Sequence, residues 1–220
     1  MTVTFWLAVT LCMFAVGLYV PFLDGANKLF MERFGFTAVE AGRALMITYV
    51  VAAVFSAPLG ILIDKIGYKR YFIMLCMLVF TIAQLIILVY PQSSGQKEMG
   101  AVAGLVLIGL GYCLYGNCVL PAIPLVVKKK ITGTAFGLMQ MIESIALAAF
   151  PLINGSLIES NGYRASSLFF VLIGVLGILT SMCLFFIPDK FKKKLDRASK
   201  EKMKVEPGQN GEVIFSASEA

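Results

Sequence analysis

Five stretches of this chain run for 19 residues or more without one charged side chain: 5–23, 44–63, 71–96, 99–127 and 165–188. A sixth, 131–158, is interrupted only by Glu143. A helix needs roughly 20 mainly apolar residues to cross the hydrocarbon core of a bilayer, and these runs meet that length. Barrel strands would alternate in hydropathy over about ten residues, and these runs do not. The expected fold is therefore an all-α membrane protein with six transmembrane helices, near 5–23, 44–63, 71–91, 100–126, 131–156 and 166–188. The first run is too long, and lacks the basic flank, for a cleaved leader, so it reads as a retained span.

Composition agrees where it bears on this point. Charged residues make up 15% of the chain and mean hydropathy is +0.84, too little charge to cover a water-soluble domain of this length. There is no histidine, which removes imidazole bases, His-ligated metals and His-ligated haem. Five cysteines (12, 76, 113, 118 and 183) lie in apolar runs without a CxxC pair and read as buried thiols. With no GxSxG, HExxH or acidic metal cluster in the spans, the expectation is no enzyme, no cofactor and no metal.

The basic residues give an orientation. With the N-terminus in the cytosol, 14 of the 19 Lys and Arg fall on the cytosolic side and five on the other. Those 14 are Lys65, Lys69, Arg70, Lys128, Lys129, Lys130 and eight residues from Lys190 to Lys204. That asymmetry follows the positive-inside rule, so the basic surplus is topological and does not point to nucleic acid. Lys190–Lys194 also suits contact with anionic headgroups of the lipid bilayer. After Asp189 the composition turns polar, and 190–220 is expected to be a disordered basic cytosolic tail beyond a six-helix bundle at 1–189.

A short motif occurs twice. Gly60-Ile-Leu-Ile-Asp64-Lys-Ile-Gly67-Tyr-Lys69-Arg70 follows the second span. Gly155-Ser-Leu-Ile-Glu159-Ser-Asn-Gly162-Tyr-Arg164 follows the fifth. The copies align without a gap at an offset of 95 residues, about three helices apart. An odd number of helices inverts the second copy in the membrane, and inverted repeats are a mark of secondary transporters. In the first copy Gly60 allows close helix approach and Gly67 a tight turn, while Lys69 and Arg70 keep the loop cytosolic. Asp64 suits the positive end of a neighbouring helix. The motif reads equally as a gate latch or as a static staple.

The spacing Gly60-x-x-x-Asp64-x-x-Gly67-x-Lys69-Arg70 resembles the signature loop of the major facilitator superfamily between its helices 8 and 9. Thr4-Phe-Trp-Leu7, Pro21-Phe22, Arg33-Phe-Gly-Phe36, Gly109-Leu-Gly-Tyr112 and Gly133-Thr-Ala-Phe-Gly-Leu-Met-Gln140 resemble a branch of that superfamily that carries dipeptides out of lysosomes. The resemblance runs from about Thr4 to Pro188. It implies that the six spans are helices 7 to 12 of a twelve-helix fold, two inverted three-helix repeats forming one half. The partners it implies are an N-terminal six-helix half, a small peptide substrate and a glycosylated lysosomal membrane protein as accessory subunit. It also implies facilitated transport across the lysosomal membrane, with both termini cytosolic.

Candidate substrate-binding residues come from polar groups inside the runs. Glu143 sits mid-span, where a carboxylate costs about 2.5–3.5 kcal/mol on insertion scales. Gln140 lies one turn earlier, with Phe136 and Leu147 on the same stripe. The related branch carries an amide where Glu143 stands, so Glu143 is a candidate on physical grounds alone. Tyr112 and Tyr115 lie three apart on the fourth span with Asn117 half a turn on, groups suited to a peptide backbone. The resemblance makes that span a cavity-lining helix. Tyr19 and Tyr49 are further candidates, and Pro121 and Pro124 suggest a hinge. For each polar residue the alternative is an interhelical hydrogen bond with no substrate role. Glycines 104, 109, 111 and 116, the Gly133/Gly137 pair, and Ala52/Ser56/Gly60 are expected at close helix contacts. Two other functions stay open: a non-transporting half-protein that binds a full-length transporter or membrane partner, and a six-helix channel. No paired Asn-Pro-Ala half-helices and no Thr-Val-Gly-Tyr-Gly filter support the channel.

Overall fold

A computed structural model describes residues 3–89, 97–127 and 129–186. Every regular element among them is helical: α1 (Val3–Phe34), α2 (Ala38–Ile66), α3 (Lys69–Val89), α4 (Lys97–Leu114), α5 (Leu120–Val126) and α6 (Thr132–Cys183). A π-helical turn, Tyr115–Val119, joins α4 to α5, and short 3-10 turns cover Lys129–Ile131 and Leu184–Phe186. Among the described residues, five helices are long and apolar enough to cross a membrane, the α4–α5 unit counting as one. The tail expected at 190–220 lies outside the described residues.

The 52 residues of α6 would extend about 78 Å if straight, more than twice a hydrocarbon core of about 30 Å. They are not straight. Gly162 has φ 74° and ψ −176°, a conformation open to glycine and costly with a Cβ. Beyond it the chain doubles back: Ser166 Oγ donates to Asn154 Oδ1 at 2.6 Å, and the Phe150 and Phe169 rings meet edge to face at 6.1 Å. Residues 12 apart in a straight helix would lie about 18 Å apart. The arms 132–161 and 163–183 therefore lie antiparallel.

Two helices, α1 and α2, outrun their apolar stretches. At the start of α2, Thr37 and Glu40 form a reciprocal capping box. The Glu40 N–H donates to Thr37 Oγ1 at 3.3 Å and the Thr37 N–H to Glu40 Oε2 at 2.8 Å. Satisfying two otherwise orphan donors fixes the helix start ahead of the apolar run. At the far end of α1, Arg33 is buried. Its Nη2 donates to the Leu88 carbonyl in the last turn of α3 at 2.7 Å, and its Nη1 to Ser167 Oγ at 3.2 Å. The guanidinium also lies 5.4 Å from the Phe34 ring centroid, so one cation ties three helices together.

In the bundle, α1 packs along α6, α3 packs against both α4 and α6, and α2 rests on α4. The α2–α4 contact is a ladder with a four-residue period. Thr48 Oγ1 donates to the Leu105 carbonyl at 3.2 Å, Cys113 Sγ to the Ala52 carbonyl at 3.3 Å and Asn117 Nδ2 to the Ser56 carbonyl at 3.1 Å. A Cβ on Gly109 would lie 2.7 Å from the Thr48 carbonyl, and one on Gly60 would lie 3.0 Å from Asn117 Oδ1. Small residues let these helices approach closely, as expected for Ala52, Ser56 and Gly60. Gly104 and Gly111 likewise sit against Ile87 and Phe80.

Two other expectations are corrected, the close packing of three glycines and the burial of Cys183. A Cβ on Gly116, Gly133 or Gly137 would meet nothing within 4 Å, so these three mark no close contact among the described residues. Four cysteines are buried but Cys183 is exposed. Gln84 is fully buried, with Nε2 3.5 Å from the Leu18 carbonyl and Oε1 without a partner among the described residues. Asn154, formally in a glycosylation sequon, is buried and hydrogen-bonded inside α6.

Candidate functional site

The candidate site forms where the π-helical turn after α4 meets the first arm of α6. Pro121 has no N–H to continue the ladder, and its ring crowds the carbonyl four residues back, that of Asn117. The turn widens just before it, and the Leu120 N–H reaches the Tyr115 carbonyl, an i to i+5 bond. Such bulges frequently accompany functional sites. This one carries Tyr115 and Asn117.

Tyr115 Oη donates to Glu143 Oε1 at 2.7 Å, and both side chains are buried, 7% and 5% exposed. Removing either group would strip the other of this bond in an apolar surrounding. Tyr112 is 41% exposed, its ring 6.5 Å from that of Tyr115 and stacked at 4.3 Å, 14° from parallel, on Tyr19 of α1. Tyr49 is exposed on α2. A row of aromatic rings therefore leads from an open face of the bundle to one buried carboxyl.

Not every expected residue joins this row. Gln140 is exposed whereas Glu143 is buried, because residues three apart diverge by about 60° around a helix. Phe136 is exposed and Leu147 half-buried, so the stripe does not share one surrounding. Asn117 is half-buried and occupied as a helix bridge: Nδ2 donates to the Ser56 and Cys113 carbonyls at 3.1 and 2.9 Å. Spacing alone does not reveal that Tyr115 pairs with Glu143, since the pairing depends on how two helices are rotated. By charge pattern Arg33 belongs with the loops, and only its place beside an aromatic cluster, Arg33-Phe-Gly-Phe36, hints at burial.

The signature loop lies at the C-terminal end of α2. Gly67, at φ 72°, caps the helix by donating its N–H to the Ile63 carbonyl at 2.9 Å, and Tyr68 follows at φ 45°. Lys69 is buried with its ammonium 3.8 Å from Asp64, which is largely exposed; Arg70 is half-buried. In the second copy Gly162 has the matching φ of 74°, while Glu159 and Arg164 are exposed and Gly155 faces open space.

The sequence profile described as Major Facilitator Superfamily matches residues 5–217. The chain belongs to that superfamily. It is accordingly a multi-pass membrane protein of a transporter family. Among its relatives, the lysosomal dipeptide transporter MFSD1 of Bos taurus is 30% identical over 83% of this chain and 37% of its own length. MFSD1 of Homo sapiens is 28% identical over 97% of this chain and 43% of its own length, and that of Gallus gallus 26% over 97% and 47%. This superfamily member thus spans less than half the length of these relatives.

Proposed function

We propose that this chain is half of a facilitated carrier that moves dipeptides, or other small amino-acid-derived solutes, across the lysosomal membrane. The observation that carries this reading is the similarity to lysosomal dipeptide transporters over 97% of the chain. In this reading six helices cross the bilayer, with the two arms of α6 as the last two and both termini cytosolic. The helices form two inverted three-helix repeats, supported by the shared positive φ of Gly67 and Gly162 at an offset of 95 residues. A second six-helix half and a glycosylated accessory protein complete the assembly on the same reading.

Tyr112, Tyr115 and Glu143 form the side of the substrate site that this chain supplies, with exposed Gln140 at its edge and Asn117 holding the π-helical turn to α2. Asp64 and Lys69 act as the gate latch on the cytosolic side, and Gly60, Gly67 and Arg70 shape and anchor that loop. Gly155, Glu159, Gly162 and Arg164 form its counterpart on the opposite side. The test is the dipeptide content of lysosomes isolated from cells with and without the gene. Loss should raise dipeptides and re-expression should restore them; unchanged content contradicts the reading.

A further inference from the structure

The six apolar runs of this chain contain one charged residue, Glu143, and no base. The described Lys and Arg residues lie outside those runs. A dipeptide carries a cationic end and an anionic end, and the runs themselves complement only the first; the buried bases Arg33 and Lys69 lie beyond them, near helix ends. A carboxylate brought beside Glu143 would meet a second acidic group, with no base in the runs to offset it.

The hydrogen-bond direction points the same way. A phenol has one proton to give, and Tyr115 gives it to Glu143 Oε1 at 2.7 Å. What Tyr115 has left are oxygen lone pairs, made better acceptors by the bond the phenol donates. They can accept from an ammonium and can offer nothing to a carboxylate or a carbonyl. Tyr112, 41% exposed and backed by Tyr19, adds aromatic surface at the approach, and aromatic faces attract cations.

We propose that Tyr112, Tyr115 and Glu143 form an ammonium subsite that takes the free amino end of the substrate, so that the carboxylate end is bound elsewhere. This rests on the dipeptide reading above and assigns which end of the peptide this half recognises.

The test is calorimetric binding to the protein purified from its own cells, with four probes: alanyl-alanine, its N-acetyl derivative, its C-terminal amide, and alaninamide. N-acetylation should weaken binding to the wild type by about tenfold or more. Glu143→Gln should weaken the free dipeptide by a similar factor, while both proteins bind the acetylated peptide alike. Tyr115→Phe, a milder change, should show the same selective loss. Tyr112→Phe should bind better than Tyr112→Leu. The subsite is overturned if Glu143→Gln and Tyr115→Phe weaken free and acetylated peptides equally, or if no probe binds. Binding of alaninamide that depends on Glu143, without binding of any dipeptide, would keep the ammonium subsite and discard the dipeptide reading.

Discussion

Ser166 and Asn154, 12 residues apart on the two arms of α6, are hydrogen-bonded side chain to side chain at 2.6 Å. That contact requires the reversal at Gly162, where φ is 74°. Gly162→Ala should therefore destabilise the protein by about 1–3 kcal/mol, the usual cost of a side chain in that region of backbone space. Thermal unfolding in detergent checks this, and an unchanged midpoint would mean that the reversal tolerates a Cβ.

The Tyr115–Glu143 pair makes a second prediction. Tyr115→Phe leaves a buried carboxyl without its phenol donor and should cost about 1–3 kcal/mol. Tyr115→Phe combined with Glu143→Leu should recover part of that loss, because an apolar pair leaves nothing unsatisfied. A double-mutant cycle on unfolding midpoints measures the coupling, and strict additivity would deny it.

The glycines divide into two groups that single substitutions should separate. Gly109→Ala places a methyl against the rigid Thr48 carbonyl and should loosen the α2–α4 contact, lowering the unfolding midpoint. Gly133→Ala meets nothing within 4 Å and should leave the midpoint unchanged or raise it, since Ala favours helix. Equal damage from both changes would contradict the packing described.

This contrast also shows what can and cannot be read from sequence. Uncharged runs expose the membrane helices, because the cost of burying charge in lipid leaves a mark on every residue. Ala52, Ser56 and Gly60 are legible as a contact face because a four-residue spacing of small side chains matches the helix repeat. Gly133 and Gly137 carry the same spacing, yet nothing described lies against them; a small-residue pattern states that a helix can approach, not that one does. The bond between Tyr115 and Glu143 is hidden for a related reason. Each residue stands out alone, but their meeting depends on the rotation of two helices and on a bulge before Pro121. Arg33 is hidden because α1 continues past the end of its apolar run.

The latch reading of the signature loop predicts a separation between rate and stability. Asp64 is largely exposed, so its pairing with Lys69 at 3.8 Å adds little to stability. Asp64→Asn should move the unfolding midpoint little while lowering the rate of transport. A large drop in midpoint with unaltered transport would make the pair a staple.

The most direct test of carrier function is flux of labelled alanyl-alanine into liposomes holding the protein purified from its own cells. Saturable uptake is expected, accelerated by unlabelled dipeptide inside and reduced by Glu143→Gln. Uptake no greater than in protein-free liposomes would contradict a carrier of dipeptides.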